Sequence, residues 1–131
     1  MEFQINIIGY LLILLALIHV IFPKYFNWKE ELNQLSLINK QVMQVHTFFI
    51  ALTVLLMGVL CVTSVTEITT TSFGKKISFG LGFFWLCRLV IQFFGYSPKL
   101  WKGKTFETVV HITFSILWIY LSYTFFKITL N

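Results

Sequence analysis

Apolar residues along the chain fall into four long runs, separated by three shorter polar segments. The runs cover residues 5–22, 42–62, 77–94 and 108–126. Each run is close to the roughly 20 residues that an α-helix needs to cross a hydrocarbon core about 30 Å thick. The pattern therefore predicts four transmembrane helices, and Pro23, Gly95 and Lys127 mark the ends of the first, third and fourth.

The connections between these runs carry helix and turn signals of their own. In the first connection, Asn27 stands three residues before Glu30, and several leucines follow. An Asn cap with Glu at the third helical position is typical of a helix start, so we expect a short interfacial helix between spans one and two. The second connection, residues 63–76, is rich in Thr and Ser and has Gly74 before a lysine pair, which predicts a plain polar loop.

Composition agrees with a membrane protein. Hydrophobic residues make up 57% of the 131 residues and charged residues only 11%. Four spans and their connections use the whole chain, so we predict an all-α fold: a single transmembrane domain over residues 1–131, forming an integral membrane four-helix bundle with short connections. The first run follows Glu2 rather than a basic residue and no cleavage pattern follows it, so we expect it to remain as helix one.

The net charge of +5 indicates membrane topology rather than nucleic-acid binding, because the basic residues lie in the connections between the apolar runs. We therefore expect the lipid bilayer as the partner, and no nucleic acid. The first and third connections share one membrane face and carry Lys24, Lys29, Lys40, Lys99, Lys102 and Lys104. The opposite face carries Lys75, Lys76 and Lys127. This bias predicts that both termini lie on the outer side of a bacterial-type inner membrane.

Histidines inside the apolar runs are the first candidates for chemistry, because ionisable residues are costly in a bilayer. His19, His46 and His111 each lie about one helical turn inside the same predicted membrane boundary. Neutral imidazole is a common ligand for transition metals and for haem iron, so the three form a candidate metal-ligand set. The alternative for each is a buried imidazole that hydrogen-bonds a neighbouring Ser, Thr or carbonyl.

A candidate cofactor-binding set accompanies the histidines on spans three and four. Arg88 keeps its charge and needs an anion or several acceptors, such as a propionate, a quinone oxygen, a phosphate or a carboxylate. Gln92 lies one turn away on the same helix face, Trp85 and Trp118 can stack on a planar cofactor, and Glu107 can act as a proton or charge partner. The alternatives are an Arg88–Glu107 pair, compensation of the helix dipole by Glu107, and core packing of the tryptophans.

The general plan resembles small four-helix membrane haem proteins, such as the protoporphyrinogen-oxidising membrane family. In those proteins a first-span histidine and a basic third-span residue recur, and His19 and Arg88 match these two residue types. The resemblance covers architecture and these two positions. It implies haem as a cofactor and transfers no activity.

These observations predict a small polytopic membrane protein with an intramembrane His/Arg site that binds haem b or a transition metal ion. If the protein is an enzyme, we expect a membrane oxidoreductase. One alternative is a non-catalytic accessory subunit or assembly factor that engages a membrane protein partner. Another is a small transporter or a proton-conducting homo-oligomer that uses the same polar residues.

Overall fold

The structure, a computed structural model, describes residues 1–131 and is entirely helical. The helices are α1 (Glu2–Ile18), α2 (Phe22–Tyr25), α3 (Trp28–Glu31), α4 (Leu37–Thr63), α5 (Val65–Thr70), α6 (Ser72–Phe94) and α7 (Thr105–Leu130). Short 3₁₀ turns occupy Leu32–Gln34 and Pro98–Leu100. The chain divides into two compact units, residues 2–65 and residues 66–131, with Met1 assigned to the second.

Three of the helices, α4, α6 and α7, are long and apolar enough to cross a membrane. α1 is apolar but has only 17 residues, which gives it a length of about 25 Å at 1.5 Å per residue. The all-helical fold and a multi-pass chain with apolar helices agree with the sequence analysis. The four-helix bundle, with α1 as a fourth span, stays a prediction.

α1 ends at Ile18, four residues earlier than the predicted end of the first span at Phe22. The chain then turns tightly, and the His19 N–H donates to the Ala16 carbonyl at 3.2 Å. Pro23 explains the early end, since a proline cannot donate a backbone hydrogen bond and its ring clashes with the carbonyl of residue 19 in a continuous helix. Pro23 lies instead in the first turn of α2, where its missing N–H costs nothing.

The first connection contains a short helix, α3, where the sequence predicts one. Asn27 does not cap it through an accepted backbone hydrogen bond. Its side-chain amide donates to the Glu30 carboxylate at 3.1 Å, and its backbone adopts a left-handed conformation with φ of 56°. Asparagine tolerates that conformation better than most residues, so Asn27 ends α2 and redirects the chain into α3.

In the first unit, α1 packs against α4 through two glycines. A Cβ on Gly9 would lie 3.0 Å from the Gly58 carbonyl oxygen, and a Cβ on Gly58 would lie 2.8 Å from the Gly9 carbonyl oxygen. Ile13 also contacts Gly58, whereas Gly9 reaches Val62, so the two helices run in opposite directions. Small residues let helix backbones approach closely, which is how apolar helices gain packing energy in lipid.

The second connection is mostly helical, so the predicted polar loop over residues 63–76 is wrong. α5 and the first turns of α6 occupy it, because the Thr side chains satisfy backbone groups that a helix end leaves free. Thr70 donates to the Thr66 carbonyl at 2.7 Å, and Thr71 caps α6 by accepting from the Gly74 N–H at 2.9 Å. Gly74 has no room for a side chain against the Glu67 carbonyl, which lets the two helices meet closely.

In the second unit, α6 and α7 form an antiparallel hairpin. The Thr129 hydroxyl donates to the Lys75 carbonyl at 3.3 Å at one end of the hairpin. At the other end, the Thr108 hydroxyl donates to the Trp101 carbonyl at 2.6 Å and fixes the connecting loop against the start of α7. Gly103 adopts a positive φ of 79° in this loop. One hydrogen bond thus joins the two helices directly, and the other joins α7 to the loop that connects them.

Replacement of Gly58 by Leu tests the close contact in the first unit. We expect a loss of roughly 1–3 kcal/mol in stability, because a larger side chain must push α1 away from α4. Thermal unfolding of the purified protein in mild detergent measures the loss. Val59→Leu is the matched control, since Val59 is an exposed neighbour on the same helix. Equal thermal unfolding midpoints for the two variants would show that the close contact at Gly58 does not stabilise the unit.

Candidate functional site

The carboxamide of Gln92 lies at the centre of a polar cluster in the α6–α7 hairpin. Its oxygen accepts a hydrogen bond from Arg88 Nη1 at 3.1 Å and a second from Trp118 Nε1 at 3.2 Å. Its nitrogen lies 2.9 Å from His111 Nδ1. Gln92 and Trp118 are buried, while Arg88 and His111 are partly buried. One amide therefore joins a cation, an indole and an imidazole.

The partners of Gln92 determine which way its amide points. Arg88 and the Trp118 indole are donors only, so the atom that faces them must be the carboxamide oxygen. The nitrogen then faces His111 and donates to Nδ1. His111 Nδ1 is accordingly the acceptor, and its ring is the neutral tautomer with hydrogen on Nε2.

The guanidinium of Arg88 has no carboxylate partner, and the protein contains no ion pair. Besides Gln92, the guanidinium contacts two aromatic faces: its central carbon lies 5.0 Å from the ring centroid of Trp118 and 5.4 Å from that of Tyr96. Cation–π contacts of this kind stabilise a charge by about 0.5–2 kcal/mol. They leave most of the guanidinium N–H groups without an acceptor.

Stacked aromatic rings surround this cluster. The rings of Trp85 and Trp118 are nearly parallel, with centroids 5.0 Å apart, and Phe114 lies 5.6 Å from Trp118. Trp101, from the loop, stacks on His111 at 4.6 Å. The Trp85 indole N–H is buried and has no hydrogen-bond partner. The cluster therefore holds more hydrogen-bond donors than acceptors.

Helical spacing places these side chains together. Trp85, Arg88 and Gln92 are three and four residues apart on α6, and His111 and Trp118 are seven apart on α7, so each group shares one helix face. The antiparallel pairing of α6 and α7 then brings the two faces into contact. Four of the five residues predicted to bind a cofactor, Arg88, Gln92, Trp85 and Trp118, are thus brought together within one hairpin with His111, which was predicted as a metal ligand.

His19 belongs to the other unit and follows the last residue of α1. Its Nδ1 lies 2.8 Å from the Leu15 carbonyl oxygen, so this nitrogen carries the proton and donates. Its ring is tilted against Phe22 at a centroid distance of 4.7 Å. Nε2 makes no hydrogen bond, and its lone pair is free to bind a metal.

Two further predicted site residues, His46 and Glu107, take no part in the hydrogen bonds of the cluster. His46 is exposed on α4 and makes no hydrogen bond, and Glu107 is exposed in the first turn of α7 without an ion pair. Glu107 is therefore placed to complement the α7 dipole. No group of three His, Cys, Asp or Glu side chains is arranged to hold a metal ion, so a metal shared by His19, His46 and His111 has no support from the structure.

Two residues of the cluster were not predicted as site residues. Tyr96 and Trp101 lie in the connection after α6, and sequence analysis gave them no role beside Arg88 or His111. Their position could have indicated a role, because both are aromatic residues in a short loop, and both helices that this loop joins carry an ionisable residue near it. Such a loop has to fold back over those residues, because the helices it joins pack against each other.

Comparison of the chain with known protein families, with characterised proteins and with solved structures found no match. The function is therefore inferred from the geometry of the chain itself.

Replacement of Gln92 by Leu removes the amide and leaves Arg88, Trp118 and His111 without their shared partner. We expect a stability loss of about 1–3 kcal/mol and a change in tryptophan fluorescence, since Trp118 loses its hydrogen bond. Thermal unfolding and emission spectra measure both effects. Gln44→Leu, at an exposed position on α4, is the matched control. A Gln92 variant that behaves like this control would show that the network does not stabilise the hairpin.

Proposed function

We propose that the protein is a multi-pass membrane protein that binds the anionic group of a largely apolar molecule at Arg88. The observation that carries this proposal is the guanidinium itself, which is partly buried in the span formed by α6 and has one amide oxygen as its hydrogen-bond acceptor. That oxygen is shared with Trp118. A bound anion supplies the acceptors that the protein does not.

The energetics of a membrane favour this interpretation. Arginine keeps its charge in proteins, and its insertion at a helix centre costs roughly 2.5–3.5 kcal/mol. A carboxylate or phosphate forms two parallel hydrogen bonds with a guanidinium and neutralises its charge. Trp85 adds another buried donor without a partner to the same cluster. The surplus of donors therefore matches an acceptor ligand.

The surroundings of Arg88 favour a ligand with an apolar or planar body. Trp118 and Tyr96 lie against the guanidinium, and Trp101 extends the aromatic surface to His111. Aromatic rings bind flat or hydrocarbon groups by stacking and dispersion. Amphiphiles that join a carboxylate or a phosphate to such a body are the proposed ligand class.

A second candidate function, haem binding, is favoured by His19. Its Nδ1 donates to the Leu15 carbonyl, and this fixes the tautomer whose Nε2 is free. Metal-ligating histidines almost always donate their other ring N–H in this way. We propose haem b rather than a shared metal ion for this histidine, with electron transfer as the corresponding function.

We also propose that α1 crosses the membrane as a fourth span. It packs antiparallel to α4, which is itself long enough to cross, and i→i−3 backbone hydrogen bonds follow its last residue over residues 19–22. The excess of lysines in the first and third connections supports a cytoplasmic position for that face and an outer position for both termini.

A fluorescent fatty acid tests the Arg88 site. Parinaric acid has a free carboxylate and accepts energy from nearby tryptophans such as Trp118, whereas its methyl ester lacks the charge. We expect the protein in mild detergent to bind the acid about 10- to 100-fold more tightly than the ester, which is the effect of one charge-assisted hydrogen-bonding pair. Arg88→Gln should remove this preference, and Arg88→Lys should retain part of it.

Lys102→Gln is the control for the Arg88 experiment, because it removes the same charge from an exposed loop position. It should keep the preference for the acid. Equal binding of acid and ester by the unmodified protein would refute the anion site. So would a Lys102→Gln variant whose preference for the acid falls as much as that of Arg88→Gln.

Absorption spectra test the haem candidate. Purified protein titrated with haemin should develop a saturable Soret band, and His19→Ala should abolish it, because the alanine offers no ligand. His46→Ala should leave the band unchanged, since His46 is exposed and makes no hydrogen bond. Protein that takes up no haemin, or that loses the band equally in both variants, would remove this candidate without affecting the Arg88 site.

A further inference from the structure

A second polar feature lies at the opposite end of the α6–α7 hairpin from Arg88. A shallow, open cavity of about 350 Å³ lies there, and its lining comes from both helices: Ser72, Lys75, Lys76, Phe79 and Thr129. The four residues from α6 are spaced three, four and seven apart from Ser72, so they share one helix face. Thr129 of α7 completes the wall, and its hydroxyl donates to the Lys75 carbonyl at 3.3 Å.

The charge of this cavity is unbalanced. Lys75 and Lys76 form no ion pair, and the lining contains no acidic residue. The Ser72 hydroxyl supplements the two ammonium groups, whereas the Thr129 hydroxyl already donates to the Lys75 and Phe125 carbonyls. Ammonium and hydroxyl donors together suit a phosphate, whose oxygen atoms are all acceptors. The mouth of the cavity therefore has the chemistry of a phosphate site.

The position of the cavity relative to the apolar part of α6 favours a lipid as the source of that phosphate. Lys75 and Lys76 immediately precede the apolar run that starts at residue 77, which places their ammonium groups at the membrane interface. Phe79 lies one turn further into the helix, is exposed, and contacts Phe126 edge to face at 5.9 Å. A polar mouth is thus continuous with an apolar aromatic surface.

We infer that this cavity binds the phosphate of an anionic phospholipid, with an acyl chain of the same lipid lying along Phe79. The site is separate from Arg88, which lies 13 residues after Lys75 on α6, a distance of about 20 Å along the helix at 1.5 Å per residue. Lys75 and Lys76 are therefore more than signals for membrane orientation. They hold one lipid against the end of the hairpin.

Native mass spectrometry of the full chain in detergent, with added phosphatidylglycerol or phosphatidylcholine, tests this inference. We expect the protein to retain phosphatidylglycerol in preference to phosphatidylcholine. The double variant Lys75→Gln/Lys76→Gln should bind phosphatidylglycerol about 25-fold more weakly, since each lysine contributes roughly fivefold at a membrane surface. Phe79→Ala should also weaken retention, because it removes the surface for the acyl chain.

The matched control is Lys99→Gln/Lys102→Gln, which removes the same charge from the loop at the other end of the hairpin. This variant should retain phosphatidylglycerol as the unmodified protein does. If the Lys75/Lys76 variant fails to fold, Lys76→Gln is compared with Lys99→Gln, since both lysines are exposed.

Three results would overturn the lipid site. The first is equal retention of the two lipids by the unmodified protein. The second is an equal loss of phosphatidylglycerol in both double variants, which would reflect general charge attraction. The third is displacement of the lipid by inorganic phosphate at comparable concentration, which would assign the cavity to a free anion.

Discussion

The polar cluster of Arg88, Trp118 and His111 between α6 and α7 depends on one side chain, the carboxamide of Gln92. Arg88 and Trp118 donate to the carboxamide oxygen of Gln92, which fixes the orientation of the amide. The amide nitrogen therefore faces His111 and donates to its Nδ1. In a low-dielectric environment each of these bonds is stronger than in water, and an unpaired donor is correspondingly costly. The orientation of one amide therefore sets the tautomer of a histidine on the neighbouring helix and the direction of a guanidinium on its own.

Several hydroxyl groups on the long helices meet the same requirement within their own helix, whereas the buried Ser78 hydroxyl has no hydrogen-bond partner. Ser115 donates to the His111 carbonyl at 2.7 Å, Ser122 to the Trp118 carbonyl at 2.8 Å, and Thr53 to the Phe49 carbonyl at 2.8 Å. Each bond runs to the residue four positions earlier on the same helix. These side chains need no ligand and no partner helix. Arg88 and Trp85 differ from them, because no backbone carbonyl accepts from their side-chain N–H groups. This difference distinguishes the candidate site from the other polar side chains of the long helices.

The two compact units use different means to pack their helices. α1 and α4 meet through Gly9 and Gly58, where backbones approach closely and no polar side chain is needed. α6 and α7 meet through large side chains, the stacked rings of Trp85 and Trp118, together with the hydrogen bonds of Gln92. The second kind of contact leaves donors and aromatic surface available for binding. The contact between α1 and α4 involves no such donors, and the candidate ligand His19 follows α1 outside it.

Apolar run length predicted the three long helices α4, α6 and α7 from sequence, because the hydrocarbon thickness that a helix must cross is independent of the rest of the fold. Helical spacing also placed Trp85, Arg88 and Gln92 on one face. Three features required the tertiary structure: the helical second connection, the contacts of Tyr96 and Trp101 with Arg88 and His111, and the absence of a group of side chains arranged to share a metal. Each depends on which carbonyl, ring or amide a side chain meets. Periodicity gives the face on which a residue lies, but the rotation and register of the neighbouring helix decide its partner.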